Sequence, residues 1–519
     1  MRILTLLAVL SFSFGGAAHV GAADKPNILL ICVDDLKPLL GCYGNELVKS
    51  SNIDALAQRG LRFDRAYCNQ AVCAPSRNAL LTGRRPQTLG IYDLGTNFRH
   101  ADPDIVTLPQ HFKNNGYRTE AFGKIFHEGH GNYDDAASWS RPHWKSNVVR
   151  YYQPENQPSK TLTREEALFS NVPGPQANKL PKGAAFEAAD VPDNAYPDGQ
   201  VADKAIKRLE AAAKKPDEPF FLAVGFVKPH LPFCAPKKYW DLYDRADMPL
   251  AEFKTPPAGA PDFAPTTWGE LRNYSSVPDS GPLDDDLQRE LIHGYHAAIS
   301  YMDAQLGRVI TALDANGLAE NTIIVFWGDH GYHLGDHGMW CKHTNYEQAT
   351  RIPLIVIAPG FTKPATVTEQ LVESVDLYPT LCRLAGLQPP TGLDGIDLSD
   401  VLAEPAANSD KVALHVFPRK ELIGRGVRTA RHRLVEWKQA GAPADSAIIE
   451  LYDYDQDPLE TKNVATEQPK TVAELRAILD AGLEAKPQIK IPPAKAGKYN
   501  ARKTGARLGK KRQTVVPAQ

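Results

Sequence analysis

Two short apolar runs, far apart in the chain, each stop on carboxylates. Asn27-Ile-Leu-Leu-Ile-Cys-Val33 leads into Asp34-Asp35, and Asn321-Thr-Ile-Ile-Val-Phe-Trp327 leads into Gly328-Asp329-His330-Gly331. Runs this short, β-branched and unbroken by polar residues read as strands buried on both faces of a parallel sheet. Phe220-Phe-Leu-Ala-Val-Gly-Phe226 and Pro353-Leu-Ile-Val-Ile-Ala358 repeat the pattern. Helical periodicity lies between them, over Thr107 to Asn115 and Gln288 to Leu313, and Ser51-Asn52 reads as the cap of a short helix ending at Gly60. Strands alternating with helices predict an α/β fold with a large, mostly parallel sheet sandwiched by helices. Such sheets collect their functional groups beyond the carboxyl ends of the strands, where these acidic residues fall.

The remaining sequence organises around that layer. Residues 141–200 and 251–282 are rich in Pro, Asn and Asp and read as long loops of the kind that rim a site. Past Pro359-Gly360 the pattern shifts to short strand-like pieces, Val412 to Phe417, Gly426 to Trp437 and Ile448 to Tyr454, which suggest a smaller antiparallel subdomain. The expected division is a leader over 1–23, a main domain over 24–365, a C-terminal subdomain over 366–489 and a tail over 490–519. Arg2, the apolar run to Phe14 and the small residues through Ala23 have the pattern of a cleaved secretory signal, too short to span a bilayer. A periplasmic or secreted protein without stable membrane insertion is expected. Nine Lys or Arg and no Asp or Glu lie between Lys490 and Gln519, a pattern of a solvated, disordered tail. No nucleic-acid-binding module is recognisable. The seven Cys form no CxxC pair, which excludes a disulfide scaffold and a Cys-ligated zinc site.

Singly, Asp34-Asp35 could cap a helix and Asp329-His330 could sit in a turn. Together, after apolar strands, they form a set of hard ligands suited to Ca²⁺ or Mg²⁺. Basic groups complete the picture: Lys124 and His127 in Gly-Lys-Ile-Phe-His, His230 in Lys228-Pro229-His230, and Lys342 in Trp340-Cys341-Lys342. Several cations at strand ends suit an anionic transition state, with imidazoles able to move protons. Between the acidic pairs lies Cys73-Ala-Pro-Ser-Arg77, followed by Leu81-Thr-Gly-Arg84.

The Cys-x-Pro-Ser-Arg stretch resembles the signature of type I sulfatases of the alkaline-phosphatase superfamily. So do Gly41-Cys-Tyr-Gly44, Gln70-Ala-Val-Cys73, Gly123 to His127, Lys228 to Phe233, Asp329-His-Gly331, and the C-terminal Glu450-Leu-Tyr-Asp453 with Asp457-Pro-Leu-Glu460 and Asn463. His330, where many members carry Asn, points to the iduronate-2-sulfatase branch. The resemblance covers nearly the whole mature chain and implies an alkaline-phosphatase-like fold. It implies that Cys73 is oxidised by a transiently bound maturase to Cα-formylglycine. Asp34, Asp35, Cys73, Asp329 and His330 would then hold one divalent ion, Ca²⁺ in preference to Mg²⁺. Arg77 and Lys124 would fix the aldehyde hydrate and sulfate, His127 would release sulfate, His230 would protonate the leaving oxygen, and Lys342 would neutralise a sulfate oxygen. The implied substrate is a sulfated saccharide bearing a terminal 2-O-sulfated uronate. The alternatives are a phosphomonoester or phosphodiester hydrolase, or an inactive binder of sulfated glycans.

Overall fold

The computed structural model describes residues 25–147, 149–157, 162–406, 410–482 and 484–491. The expected leader and nearly all of the expected basic tail lie outside these residues. Eight strands form the main sheet. Across it run Thr366–Thr368, Leu61–Tyr67, Arg351–Ile357, Thr322–Gly328, Asn27–Val33, Phe220–Phe226 and Arg118–Gly123, with Val372–Glu373 also pairing with Leu61–Tyr67. All are parallel except Arg351–Ile357, which is antiparallel to both neighbours. The register sets Val33 beside Gly328 and Phe226, so the acidic residues that follow Val33 and Gly328 emerge side by side.

Alternation along the strands divides the interior into two layers. Leu29, Ile31 and Val33 pack with Phe326 and with Ile53, Leu209 and Leu306, from the helices Ser51–Ala57, Pro197–Ala213 and Asp285–Ala315. Ile28, Leu30 and Cys32 face the other way, onto Leu80, Phe112 and Leu381 of Cys73–Thr82, Leu108–Asn114 and Leu377–Leu384. Side chains buried on both faces explain why these strands read as continuous apolar runs. The main sheet continues past residue 365, where patterning placed the change of domain: strands 366–368 and 372–373 both pair with Leu61–Tyr67.

A second, four-stranded antiparallel sheet follows, in the order Ala413–Arg419, Leu422–Arg428, His432–Lys438, Ile448–Asp453. The expected single piece from Gly426 to Trp437 is instead the two arms of a hairpin turning over 429–431, because alternation persists on both sides of a short polar turn. Helix Pro469–Ala481 covers one face through Leu475 and Leu479. Buried Arg433 ties this sheet to the main unit through Glu347 at 2.8 Å and holds the segment after the sheet through Glu460 at 2.9 Å.

Other boundaries moved by a few residues. The helix after Val48 begins at Ser51, with Ser50 as its cap residue and no side-chain cap bond. The long loops carry structure of their own: the helix Arg164–Phe169 lies in the first, which also supplies strand Phe186–Ala189, paired with Phe233–Pro236.

Candidate active site

The strand ends deliver the acidic residues. Asp34, Asp35 and Asp329 are fully buried. Asp329 Oδ1 accepts from the backbone N–H groups of Asp35 (3.0 Å) and His330 (2.9 Å), which locks the two strand ends together. Asp35 takes a left-handed backbone (φ 59°), a conformation Asp tolerates better than branched residues. Tyr295, on the long helix Asp285–Ala315, holds that turn by donating to the Asp35 carbonyl at 2.7 Å.

Cys73 opens the helix Cys73–Thr82. Pro75 falls in its first turn, where a missing N–H breaks no helical bond. Arg77 follows Cys73 by four residues, so the two share a face. The Arg77 guanidinium is wholly buried. It reaches Asp329 (3.0 Å) and Asp34 (3.2 Å) and donates to the carbonyls of Lys124 (2.6 Å) and Ile125 (3.1 Å). Burial favours the neutral form of Asp34, yet Lys124, His230 and Arg77 outweigh it and hold the carboxyl well below its usual range. Asp329 goes the other way: burial, reinforced by Asp34, pushes it up to about 6.

The cations arrive from three other elements. Lys124 follows Gly123, whose positive φ of 83° and tight approach to Gly225 admit no side chain: an added Cβ would sit 2.0 Å from the Gly225 carbonyl oxygen. The Lys124 ammonium pairs with Asp34. Lys342 Nζ bridges Asp35 (2.9 Å) and Glu270 (2.7 Å). His230 Nδ1 lies 2.6 Å from the Leu231 carbonyl and Nε2 lies 3.1 Å from Glu270 Oε1. Both ring nitrogens face acceptors, which favours the doubly protonated ring. Burial disfavours that form, but Asp35 and its neighbours win and raise the pKa. His127 is driven the other way, well below its usual value, by burial and by Lys124 and His130, so it stands as a neutral base. Lys228, grouped with these by sequence, is occupied elsewhere: its ammonium donates to the carbonyls of His230 (2.6 Å) and Pro232 (2.5 Å).

Comparison with known proteins fits this geometry. Residues 26–387 match the Sulfatase family, and residues 335–488 match the C-terminal region of N-sulphoglucosamine sulphohydrolase. The chain is 37% identical to iduronate 2-sulfatase of Mus musculus over 522 aligned positions, spanning 85% of this chain and 91% of that protein. The Homo sapiens iduronate 2-sulfatase is 36% identical over 520 positions, with the same coverage.

The chain belongs to the sulfatase family.

It is a sulfuric ester hydrolase whose resemblance runs to the iduronate-2-sulfatase branch. Two solved structures share the fold. A phosphonate monoester hydrolase from Silicibacter pomeroyi superposes with a TM-score of 0.68 at 24% identity, covering 88% of this chain and 95% of that one. A protein solved with its substrate D-glucosamine-2-N,6-O-disulfate gives 0.66 at 22%, covering 88% and 97%.

The sulfatase's acidic cluster suits a divalent cation. Ligand atoms of Asp34, Cys73, Asp329 and His330 all lie within 4.8 Å of one another, and Asp35 belongs to a second such group with Asp34, Cys73 and His230. His330 Nδ1 lies 3.0 Å from the Gly331 carbonyl, and Nε2 lies 3.3 Å from Cys73 Sγ, 3.3 Å from Asp35 Oδ1 and 3.5 Å from Asp329 Oδ1. Carboxylates brought this close together repel one another unless positive charge stands among them. Mostly oxygen donors fit a hard ion.

A cavity of about 280 Å³ opens over residue 73 of the sulfatase, and Cys73, His127, His230 and Lys342 line it. Sequence reasoning missed the rest of its wall. His130 and Phe169 contribute rings, and Glu165, Glu270 and Asn273 contribute polar groups from the two long loops. Phe169 stacks edge-on to His230 at 5.7 Å and lies under the Lys124 ammonium at 5.2 Å. Only the Thr163–Glu166 capping box, legible as Thr-x-x-Glu, marked the helix carrying Glu165 and Phe169. No helix among the described residues is long and apolar enough to cross a membrane.

Proposed function

We propose that this sulfatase removes the sulfate ester from a sulfated saccharide, a terminal 2-O-sulfated uronate, after Cys73 has been oxidised to Cα-formylglycine. The observation that carries this reading is the position of residue 73. It lies at the floor of the cavity, at the start of a buried helix, between the acidic cluster and the cations. A buried thiol beside Asp34 is a poor nucleophile, because burial and that carboxylate push Cys73 well above its usual pKa. An aldehyde hydrate would do what the thiol cannot. One hydroxyl, its proton given up to solvent as the hydrate ionises, attacks sulfur; the new S–O bond forms as the S–O bond to the sugar breaks, and the sugar oxygen takes a proton from His230. The second hydroxyl loses its proton to His127, and its electrons re-form the aldehyde C=O as the bond from carbon to the sulfate oxygen breaks. Sulfate leaves and the aldehyde is restored.

Asp34, Asp35, Asp329, His330 and residue 73 would hold Ca²⁺, which when bound supplies positive charge for the sulfate oxygens and the ionised hydrate. Arg77 and Lys124 brace Asp34 and orient residue 73, and Lys342 adds a fixed cation on the sugar side. Export through the N-terminal leader and maturation by a formylglycine-generating enzyme belong to the same reading, as does a two-part division whose boundary lies beyond residue 373.

The decisive test is a digest of active enzyme, with mass spectrometry of the peptide containing residue 73, beside turnover of defined sulfated saccharides. Aldehyde or hydrate at residue 73 and loss of turnover in Cys73→Ala are expected. Full activity with an unmodified thiol would overturn the mechanism. The phosphonate monoester hydrolase among the structural relatives motivates a parallel assay with phosphate and phosphonate esters. Faster turnover of those would move the function to that chemistry.

A further inference from the structure

Two carboxyl groups in the cavity have unmet hydrogen-bonding capacity. Glu165 is 6% exposed and has no hydrogen-bond or ion-pair partner among the described residues. Glu270 uses Oε1 for Lys342 and His230, but its Oε2 is buried without a hydrogen bond, and His343 Nδ1 lies 4.0 Å away. Local structure aims the first of these inward. The capping box engages Glu166 at the start of the helix Arg164–Phe169. Its neighbour Glu165 therefore shares the cavity face with Leu168 and Phe169, three and four residues on. Glu270 enters from the other long loop, beside Asn273.

A buried acceptor without a donor, as Glu270 Oε2 is, is destabilising, and proteins seldom keep one without a ligand or water to satisfy it. A cation is a poor candidate for the missing donor, since Lys342 and His230 already serve one oxygen. A second anion is worse, because it would face two carboxyls. Neutral hydroxyls fit: each brings an O–H that can donate and carries no charge to repel.

We propose that Glu165 and Glu270 form a hydroxyl-reading subsite that accepts hydrogen bonds from a free sugar hydroxyl next to the sulfate ester. This rests on the sulfatase reading and refines its substrate: a ring sulfated at one position with an unsubstituted hydroxyl beside it. Burial and the nearby Glu270 push Glu165 up to about 7, so near neutral pH its carboxyl can accept from a hydroxyl or donate to one, while Glu270 remains the accepting carboxylate. The subsite selects against vicinal disulfation, because a second sulfate there would meet carboxyl oxygens instead of cations.

The test compares a methyl 2-O-sulfated uronoside with its 3-deoxy and 2,3-di-O-sulfated counterparts, with an activated aryl sulfate measured on the wild type. The wild type should lose about 10- to 150-fold in kcat/KM on the 3-deoxy ester, the range for a hydrogen bond to a charged group, and at least as much on the disulfate. In Glu165→Ala the ratio of hydroxylated to deoxy substrate should collapse toward one. Glu165→Gln keeps the size and a weaker acceptor, so it should fall between and guards against a folding defect in the Ala variant. Glu270→Gln should also lower the ratio. An unchanged ratio in the folded Glu165 variants, or a wild type indifferent to the 3-hydroxyl, overturns the subsite while leaving the sulfatase reading intact. No turnover of any sulfate ester, the aryl sulfate included, would overturn the sulfatase reading and the subsite with it.

Discussion

Arg77→Met isolates the buried charge on which the acidic cluster depends. The side chain is fully buried, and Met fills a similar apolar volume without a charge. Four hydrogen bonds disappear: those to Asp329, to Asp34 and to the two carbonyls at Lys124 and Ile125. Removing one partner of a buried ion pair leaves the other uncompensated, at a cost of about 3–5 kcal/mol. Lys124 still faces Asp34, which favours the lower end, but Asp329 loses its arginine entirely. With a urea dependence of a few kcal/mol per molar, the unfolding midpoint of chelator-treated protein should fall by roughly 1 M. The pH dependence follows from the same charges. Without Arg77 the folded-state pKa values of Asp34 and Asp329 rise, so the folded variant binds more protons than the wild type. Its stability must then fall relative to the wild type as pH rises. The deficit should be larger at pH 8 than at pH 5, where protonation relieves the carboxylates. Arg77→Lys restores the charge but not the fork and should lie between. Urea unfolding followed by tryptophan fluorescence at the two pH values measures both effects. A deficit under about 1 kcal/mol at pH 8, or one independent of pH, would refute the account of Arg77 as the cluster's essential counter-charge.

Asp34→Asn should lower divalent-metal content, read by elemental analysis, together with activity; metal-free wild-type protein with full activity would remove the ion from the mechanism. His127→Ala should still be attacked by substrate but stall with sulfate on residue 73, visible as added mass, and absence of that adduct despite first-step turnover would take His127 out of the release step. His230→Ala should slow sugar sulfates more than activated aryl sulfates, which need no proton donor; equal slowing excludes it as the acid. Glu165 carries a stability signature of its own, because burial holds its folded pKa at about 7, above the unfolded value of 4.5. The stability associated with its protonated form is complete below about pH 4.5 and is lost as pH rises through 7, in all about 3 kcal/mol. Glu165→Gln should therefore gain on the wild type between pH 5 and pH 8, and a pH-independent difference would show that the carboxyl is not held out of water.

Much of the chemistry was legible because it sits where local pattern is strongest. Strands buried on both faces have to be continuous and apolar, so Asn27–Val33, Phe220–Phe226 and Thr322–Gly328 announced themselves, and the polar residues after them marked the carboxyl edge. Asp34, Asp35, Asp329 and His330 lie there, and the cysteine motif set Cys73 and Arg77 one helical turn apart. Lys124, His127, His230 and Lys342 carried a weaker signal; the structure brings His127, His230 and Lys342 to one cavity with Cys73 and pairs Lys124 with Asp34. The hairpin hidden within Gly426 to Trp437 was harder, because its short turn lacks the Asn-Gly or Asp-Gly signal that marks tight turns.

The sequence alone determined the layered α/β architecture and the identity of the groups that could react, since strand burial, helix phase and motif spacing are local properties. Only the tertiary structure decided which partners those groups have. Lys228 and His230 are two residues apart, yet Lys228 turns to backbone carbonyls while His230 faces Glu270 across the cavity. Glu165 sits on a short helix within one long loop and Glu270 in the other, more than a hundred residues apart, with no sequence pattern to pair them. Their approach to residue 73 depends on how the long loops fold back over the sheet edge. That is a matter of long-range packing, and it sets both the protonation of the buried carboxyls and the shape that a sugar would meet.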